Sequence, residues 1–327
     1  MVFCVDCTGS MGSYIQTAKD NITSIVESIV ASESASIGFA LVMYRDHPPQ
    51  DSSFVTKVCD FTTDLSLMKE YVDSMAASGG GDTPEAMGSG LVACLSLSYR
   101  PTSTKVCILI ADAPPHGISA SPSGDGFPNG DPGCADLLSI SRSFAEQSIR
   151  LYAVGCEPAI SSHTEAMSWM RWTADLTGGR YISLKRAAHL SAIIVGGCRV
   201  ELNHDKLAVE VEAELAKLRA QGYTISDQES KKKVASMIAR SLHERKITTV
   251  DLLFNDIPDP AHFKYYNVFS DATDVAHFKT LIGGNFVPYE EPKLKAGITE
   301  QSEVVQVKTV TITEEHILKI FQLKPSL

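Results

Sequence analysis

The sequence has no apolar run approaching the roughly 20 residues a membrane-spanning helix needs, and no basic-then-apolar leader with a small-residue cleavage site. These two absences predict a cytoplasmic protein with no membrane span. Positive charge is also short. Against 39 Asp and Glu stand 29 Lys and Arg, for a net charge of −10 and a pI near 5.4. That balance argues against nucleic acid or an anionic lipid surface as the main partner. The deficit is concentrated in residues 1–198, which hold 12 Lys and Arg against 20 Asp and Glu, so a cation is sought there first.

Paired cysteines are missing as well. The eight cysteines lie scattered among Val, Ile and Leu, as in "KVCILI" and "LVACLSL", the habit of small buried thiols in a reducing compartment and not of a disulfide framework. Cys4 and Cys7 form a C-x-x-C, but on a strand they point to opposite faces, and no second pair completes a tetrahedral zinc site. No G-x-x-x-x-G-K-[ST] occurs. The glycine-rich "SGGGDTPEAMGSG" follows a helical pattern and not a strand, which removes the geometry of a phosphate cradle.

What is present, 44% hydrophobic and 21% charged residues in a chain of 327, suits a globular protein with a real core and one large or two ordinary domains. Strand and helix patterns alternate through residue 198. A short strand at 2–6 precedes an amphipathic helix from about Met11 to Ala31. Strands over 35–46 and 52–61 form a hairpin, and a helix covers 64–77. A further helix opens at Pro84, where proline favours the first turn. An apolar strand then ends on Asp112, before an exposed loop at 117–133 and further helix–strand pairs. This rhythm predicts an α/β fold, a doubly wound, mostly parallel sheet with helices on both faces. The opening strand starts at Met1 with no lead-in, so either it is short or the protein begins upstream. Residues 199–327 read as a smaller mixed α+β region: amphipathic helices at 202–222 and from a Ser226–Glu229 cap onward, an irregular segment over 247–300 in which "AHFK" occurs twice, and a late strand and helix. The predicted domains are therefore 1–198 and 199–327.

"FCVDCTGSMGSYI" ends a strand on an acid and fills the following turn with hydroxyls. In an open parallel sheet, ligands sit beyond the carboxyl ends of the strands where the strand order reverses. Asp6 and Asp112 both end strands at that edge. Thr8 and Ser10 follow Asp6, and "GGGDTPEA" adds Thr83. Together these five offer an all-oxygen set suited to a hard cation such as Mg²⁺, which takes octahedral oxygen ligation at about 2.1 Å. Asp82, Glu85 and His116 are candidates for the rim or for an outer shell. Alone, Asp6, Thr8 and Ser10 also suit a helix cap. Arg45 and Asp46 read as loop-fixing residues, His47 and His163 as loop histidines, and Trp169 and Trp172 as core.

D-x-T-x-S followed by Met11, a Thr in a Gly-rich loop before a helix, and an Asp ending the next central strand resemble a von Willebrand factor A domain over about residues 1–198. The resemblance implies a metal-ion-dependent adhesion site formed by Asp6, Thr8, Ser10, Thr83 and Asp112. It also implies bound Mg²⁺ (or Mn²⁺ or Ca²⁺) and a protein partner presenting an Asp or Glu to the metal. Thr8 stands where the family more often has Ser, and keeps the hydroxyl. "DCTGSM", "YRDHP" and "GGGDTPEA" are most similar to the intracellular branch, including A domains joined to alpha-kinases, and to the hemicentin type. The function this implies is a non-enzymatic, metal-dependent protein-binding module. The alternative is a regulatory or scaffold part of an alpha-kinase-type signalling protein whose kinase domain is absent from this chain. Residues 199–327 show no phosphate loop and no Cys/His zinc pattern. Metal-assisted hydrolysis would need a general base, and within the motif pieces Glu85 is the nearest candidate. The sequence leaves the partner and the oligomeric state open.

Overall fold

Short apolar, β-branched runs bounded by turn residues become the strands, and the amphipathic segments between them become the helices. The computed structural model describes residues 1–32, 36–119, 124–184, 187–254, 263–283 and 305–323. In chain order the elements are β1 (Val2–Asp6), a 3₁₀ turn (Gly9–Ser13), α1 (Ile15–Ser32), β2 (Phe39–Tyr44), β3 (Thr56–Thr62), α2 (Leu65–Asp73), α3 (Met87–Leu95), β4 (Lys105–Ala111), α4 (Leu137–Glu146) and β5 (Ile149–Gly155). They continue with α5 (Thr164–Leu176), β6 (Tyr181–Ser183), α6 (Ala187–Ala220), α7 (Gln228–Glu244), β7 (Thr248–Phe254), α8 (Tyr266–Asp271), α9 (Val275–Ile282), β8 (Val305–Thr311) and α10 (Glu314–Leu323).

Six strands form one sheet in the order β3-β2-β1-β4-β5-β6. All neighbours run parallel except β2 and β3, which pair antiparallel as the hairpin reading expects. The chain builds β1, β2 and β3 to one side and then crosses to place β4 on the other side of β1. The order thus reverses between β1 and β4, and the carboxyl ends of those two strands carry Asp6 and Asp112. Val2 and Cys4 share a core with α3, α4 and α5, while Phe3 and Val5 alternate to the opposite face.

Three boundaries differ from the sequence reading, each for a local reason. The helix expected at Pro84 starts at Met87, because the Glu85 amide donates to the Pro114 carbonyl and the Ala86 amide to the Arg45 carbonyl. The cap expected at Ser226 is Asp227, whose carboxylate accepts from the Ser230 amide while the Ser230 hydroxyl accepts from the Asp227 amide. Helical patterns at either side of Cys198 join into the single helix α6.

The chain forms two compact units. One comprises Met1–Ile194 with Asp256–Gln301, the other Val195–Asn255 with Ser302–Leu327. In the first unit, α8 and α9 add a small aromatic layer: Phe269 stacks on Phe278 with centroids 4.0 Å apart and lies 5.9 Å from Trp172. Arg142 donates to the carbonyls of Ala272 and Thr273, and Asp136 caps α4 while accepting from the Val275 amide. In the second unit, Leu207, Val211 and Leu215 of α6 pack with Val234, Ile238 and Leu242 of α7 and with Ile317 and Ile320 of α10. Its β7 and β8 pair antiparallel. The first "AHFK" falls partly outside the described residues, as do 255–262 and 284–300 of the irregular segment expected at 247–300. No helix among the described residues is long and apolar enough to cross a membrane.

Candidate metal centre

The turn after β1 is shaped by Asp6 itself. Its Oδ1 accepts from the Thr8 amide at 2.9 Å and from the Thr8 hydroxyl at 2.6 Å. Buried Met11 anchors the following 3₁₀ turn. A second loop is fastened alongside: the Gly9 amide donates to the Gly79 carbonyl, and the Ser78 amide to the Cys7 carbonyl. Gly79 takes a left-handed φ of 77° directly against the Asp51 carboxylate, which accepts from the Gly80 amide. Arg45, expected to fix a loop, ties three segments together by donating to the Cys7 and Ala76 carbonyls and the Ser53 hydroxyl.

Ser10 Oγ reaches across to the end of β4 and donates to Asp112 Oδ1 at 2.9 Å. Asp6, Thr8, Ser10 and Asp112 therefore form one connected row of oxygens. The two hydroxyl oxygens lie 3.1 Å apart. With both protons directed at carboxylates, neither hydroxyl has a hydrogen left for the other. Two lone-pair-bearing oxygens at that spacing match the edge of an octahedron with bonds of about 2.1 Å, which is about 3 Å.

Charge points the same way. Asp6 is wholly buried and Asp112 is 2% exposed, yet Asp6 Oδ2 and Asp112 Oδ2 have no hydrogen-bond partner. Burial, with the Asp112 charge added, pushes the Asp6 carboxyl up to about 7. Burial likewise raises Asp112. Unpartnered buried carboxylate oxygens are costly, and a divalent cation would satisfy them.

Of the five sequence-predicted ligands, these four come together. Thr83 is exposed, and among the described hydrogen bonds none involves its side chain. Glu85, expected at the rim or in an outer shell, is buried, 3% exposed, with Oε2 unpartnered. Burial first, then the charges of Asp6 and Asp46, push its carboxyl up to about 10.

Beside Glu85 lies a further cluster. Asp46, Asp82 and His116 each bring a ligand-type atom within 4.8 Å of the others. His116 is engaged at both nitrogens, Nε2 to Asp46 Oδ1 at 2.6 Å and Nδ1 to Asp125 Oδ1 at 2.8 Å. Burial opposes its charge, but the hydrogen bonds to Asp125 and Asp46 outweigh it and push the imidazole up to about 9. Held as an imidazolium, His116 has no lone pair for a metal. It works as a clip between the β2 end and the Asp125 loop, whose Asp125 carboxylate also accepts from the Gly117 and Phe127 amides. The sequence reading missed Asp125, which lies in a Gly, Pro and Ser-rich stretch. Its signal was a carboxylate nine residues beyond a histidine.

Comparison with known proteins adds the following. A family model described as the von Willebrand factor A domain matches residues 1–121. An alpha-protein kinase of Dictyostelium discoideum, vwkA, is 33% identical over 153 residues, covering 46% of this chain and 24% of that protein. A putative ariadne-like RING finger protein of Acanthamoeba polyphaga mimivirus is 27% identical over 192 residues, covering 57% of this chain and 18% of that protein. The chain thus spans a quarter or less of the length of these curated relatives. Among solved structures, a von Willebrand factor type A protein from Catenulispora acidiphila aligns with a TM-score of 0.43 at 18% identity, over 62% of this chain and 42% of that one. The pilus adhesin SpaC from Lactobacillus rhamnosus GG, in an open conformation, aligns with a TM-score of 0.44 at 14% identity, over 58% and 28%.

Proposed function

We propose that the von Willebrand factor A domain this chain carries is a divalent-metal-dependent protein-binding module. Domains of this kind commonly mediate protein interaction. The observation that carries the reading is the row Asp6–Thr8–Ser10–Asp112, with its buried, unpartnered carboxylate oxygens at the reversal between β1 and β4. Asp6, Thr8, Ser10 and Asp112 hold the ion, Mg²⁺ or the similar Mn²⁺ or Ca²⁺. The bound ion supplies a coordination position for an Asp or Glu of the partner. Ser10 and Thr83 are exposed at this edge, so an outside carboxylate has a path to the site. The module acts by binding and not by catalysis: His116, whose amide donates to the Glu85 carbonyl, has both ring nitrogens committed to carboxylates and is not free as a general base.

A test is partner capture on the immobilised full chain, with Mg²⁺ or with chelator, beside the Asp6→Asn variant. The reading expects capture to disappear with chelator and in the variant. Equal capture in all three would contradict it.

A second reading is favoured by the similarity to the Dictyostelium alpha-protein kinase: the chain is a regulatory or scaffold part of an alpha-kinase-type signalling protein whose kinase domain it does not contain. The two readings are compatible, since a metal-dependent module would be the part that engages the target. Phosphate transfer from ATP by this chain alone would contradict the second reading.

A further inference from the structure

The first unit holds a cavity of about 280 Å³ between the start of α3, the loop leading into α4, and α9, and none of Asp6, Thr8, Ser10 and Asp112 lines it. We propose that this cavity binds an aliphatic primary ammonium, with Asp131 as the counter-ion. The inference does not depend on the metal reading. Asp131 stands in the cavity wall with its side chain 3% exposed. Its Oδ2 accepts from the Ser89 amide in the first turn of α3, while its Oδ1, also buried, has no hydrogen-bond partner. A buried carboxylate oxygen left in that state is costly until a donor or a cation meets it. Gly88 keeps room for this carboxylate, since a Cβ there would stand 3.0 Å from Oδ2.

The charges around the cavity leave Asp131 over. Asp46 and Asp125 are both bonded to the His116 imidazolium, and Asp125 also acts on the Lys279 ammonium, whose Nζ donates to the Pro128 carbonyl. Those two acids and two cations cancel. Asp136, in the same wall, gives its oxygens to the amides of Leu138 and Val275. His47 Nε2 lies 3.9 Å from Asp131 Oδ2, but the Ser89 hydroxyl is its closer partner at 3.1 Å. One free oxygen offers a single-point contact, which an ammonium meets and the two-pronged fork of a guanidinium does not. Leu137, Ile140 and Val275 supply an aliphatic wall for the chain that carries the ammonium. The volume, at the low end of the roughly 300–1,000 Å³ of small-molecule sites, keeps that chain short. A free amine and a partner's lysine side chain share this chemistry.

The probe is n-butylammonium, titrated into the full chain and followed by saturation-transfer NMR, beside 1-butanol as its uncharged counterpart. Wild type is expected to bind the ammonium at least about tenfold more tightly than the alcohol, and Asp131→Asn, which keeps an oxygen for the Ser89 amide, to lose at least about tenfold in ammonium affinity. Ala276 is exposed on the same wall, and Ala276→Trp, which puts an indole at the cavity, is expected to lose as much. No transfer in wild type, a smaller preference over butanol, or a smaller loss in Asp131→Asn overturns the proposal. Should Asp131→Asn not fold by circular dichroism, Ala276→Trp decides by the same tenfold criterion. Nα-acetyl-lysine N-methylamide, titrated in parallel, identifies the source: affinity equal to or above that of n-butylammonium assigns a partner's lysine, and lower affinity a free amine.

Discussion

Ser10 and Asp112 are 102 positions apart in sequence, and the Ser10 hydroxyl donates to the Asp112 carboxylate across 2.9 Å. That bond joins the turn after β1 to the end of β4 and closes the row that begins at Asp6. Its neighbours on that row are like charges in a dry site, so the arrangement stores repulsion that a divalent ion relieves.

Removing one of those charges should therefore stabilise the metal-free protein. Asp6→Asn keeps an oxygen to accept from the Thr8 amide and places an N–H₂ where the unpartnered oxygen stood. With chelator present, its thermal midpoint is expected to rise by roughly 2–4 °C, about 1 kcal/mol for a unit of this size. The upward shift that Mg²⁺ or Mn²⁺ gives the wild type should vanish. A variant less stable than wild type in chelator would argue against stored repulsion.

His116 gives a pH prediction. Its folded pKa, about 9, lies above its ordinary value of 6.5. Its contribution is thus fully present below about pH 6.5 and is lost as pH rises through 9. The carboxylates acting on it are Asp125, Asp46, Asp131 and Asp82. In chelator, the urea midpoint of wild type should exceed that of His116→Gln most at pH 6 and least at pH 10. Asp6 and Glu85 titrate in the same range in both proteins and cancel in the difference. A gap that widens toward pH 10 would refute the imidazolium clip.

Gly79 tests the loop that supports the site. Alanine there meets a left-handed φ of 77° and overlaps the Asp51 carboxylate, whereas Gly124 has φ 85° with open space around it. Both substitutions carry the backbone penalty of about 1–3 kcal/mol. Only Gly79→Ala should also push Asp51 away from the Gly80 amide and weaken Mn²⁺ binding. Equal metal affinity in the two variants would show the loop to be irrelevant to the site.

Phe269 tests the aromatic layer of the first unit. It is fully buried, stacked 4.0 Å from Phe278, and its truncation to alanine should cost about 3–5 kcal/mol in denaturant unfolding. Leu281→Ala, on the same layer but 47% exposed, should cost less than about 1 kcal/mol. Similar small losses for both would place α8 outside the folded unit.

The sheet and its acid-ended strands were legible because β1 and β4 are short apolar runs flanked by turns, and parallel strands buried on both faces leave that trace. The hairpin of β2 and β3 was legible from alternation. The row from Asp6 to Asp112 was legible because each residue ends or follows such a strand. Thr83 and Glu85 are two residues apart, and their difference in burial was not legible. It depends on the Glu85 amide pairing with Pro114, a contact between loops that no local pattern encodes. The same holds for Asp125, brought to His116 by a loop of irregular backbone. The layer of α8 and α9 left only weak periodicity because each helix is short, six and eight residues, too brief for a repeat to show.

The most direct measurement is anomalous diffraction from crystals of the full chain soaked in Mn²⁺. The account predicts one strong peak within coordination distance of the Thr8 and Ser10 hydroxyls, bordered by the carboxylates of Asp6 and Asp112. A peak lying only at Asp46 and Asp82, or none between the ends of β1 and β4, would contradict it.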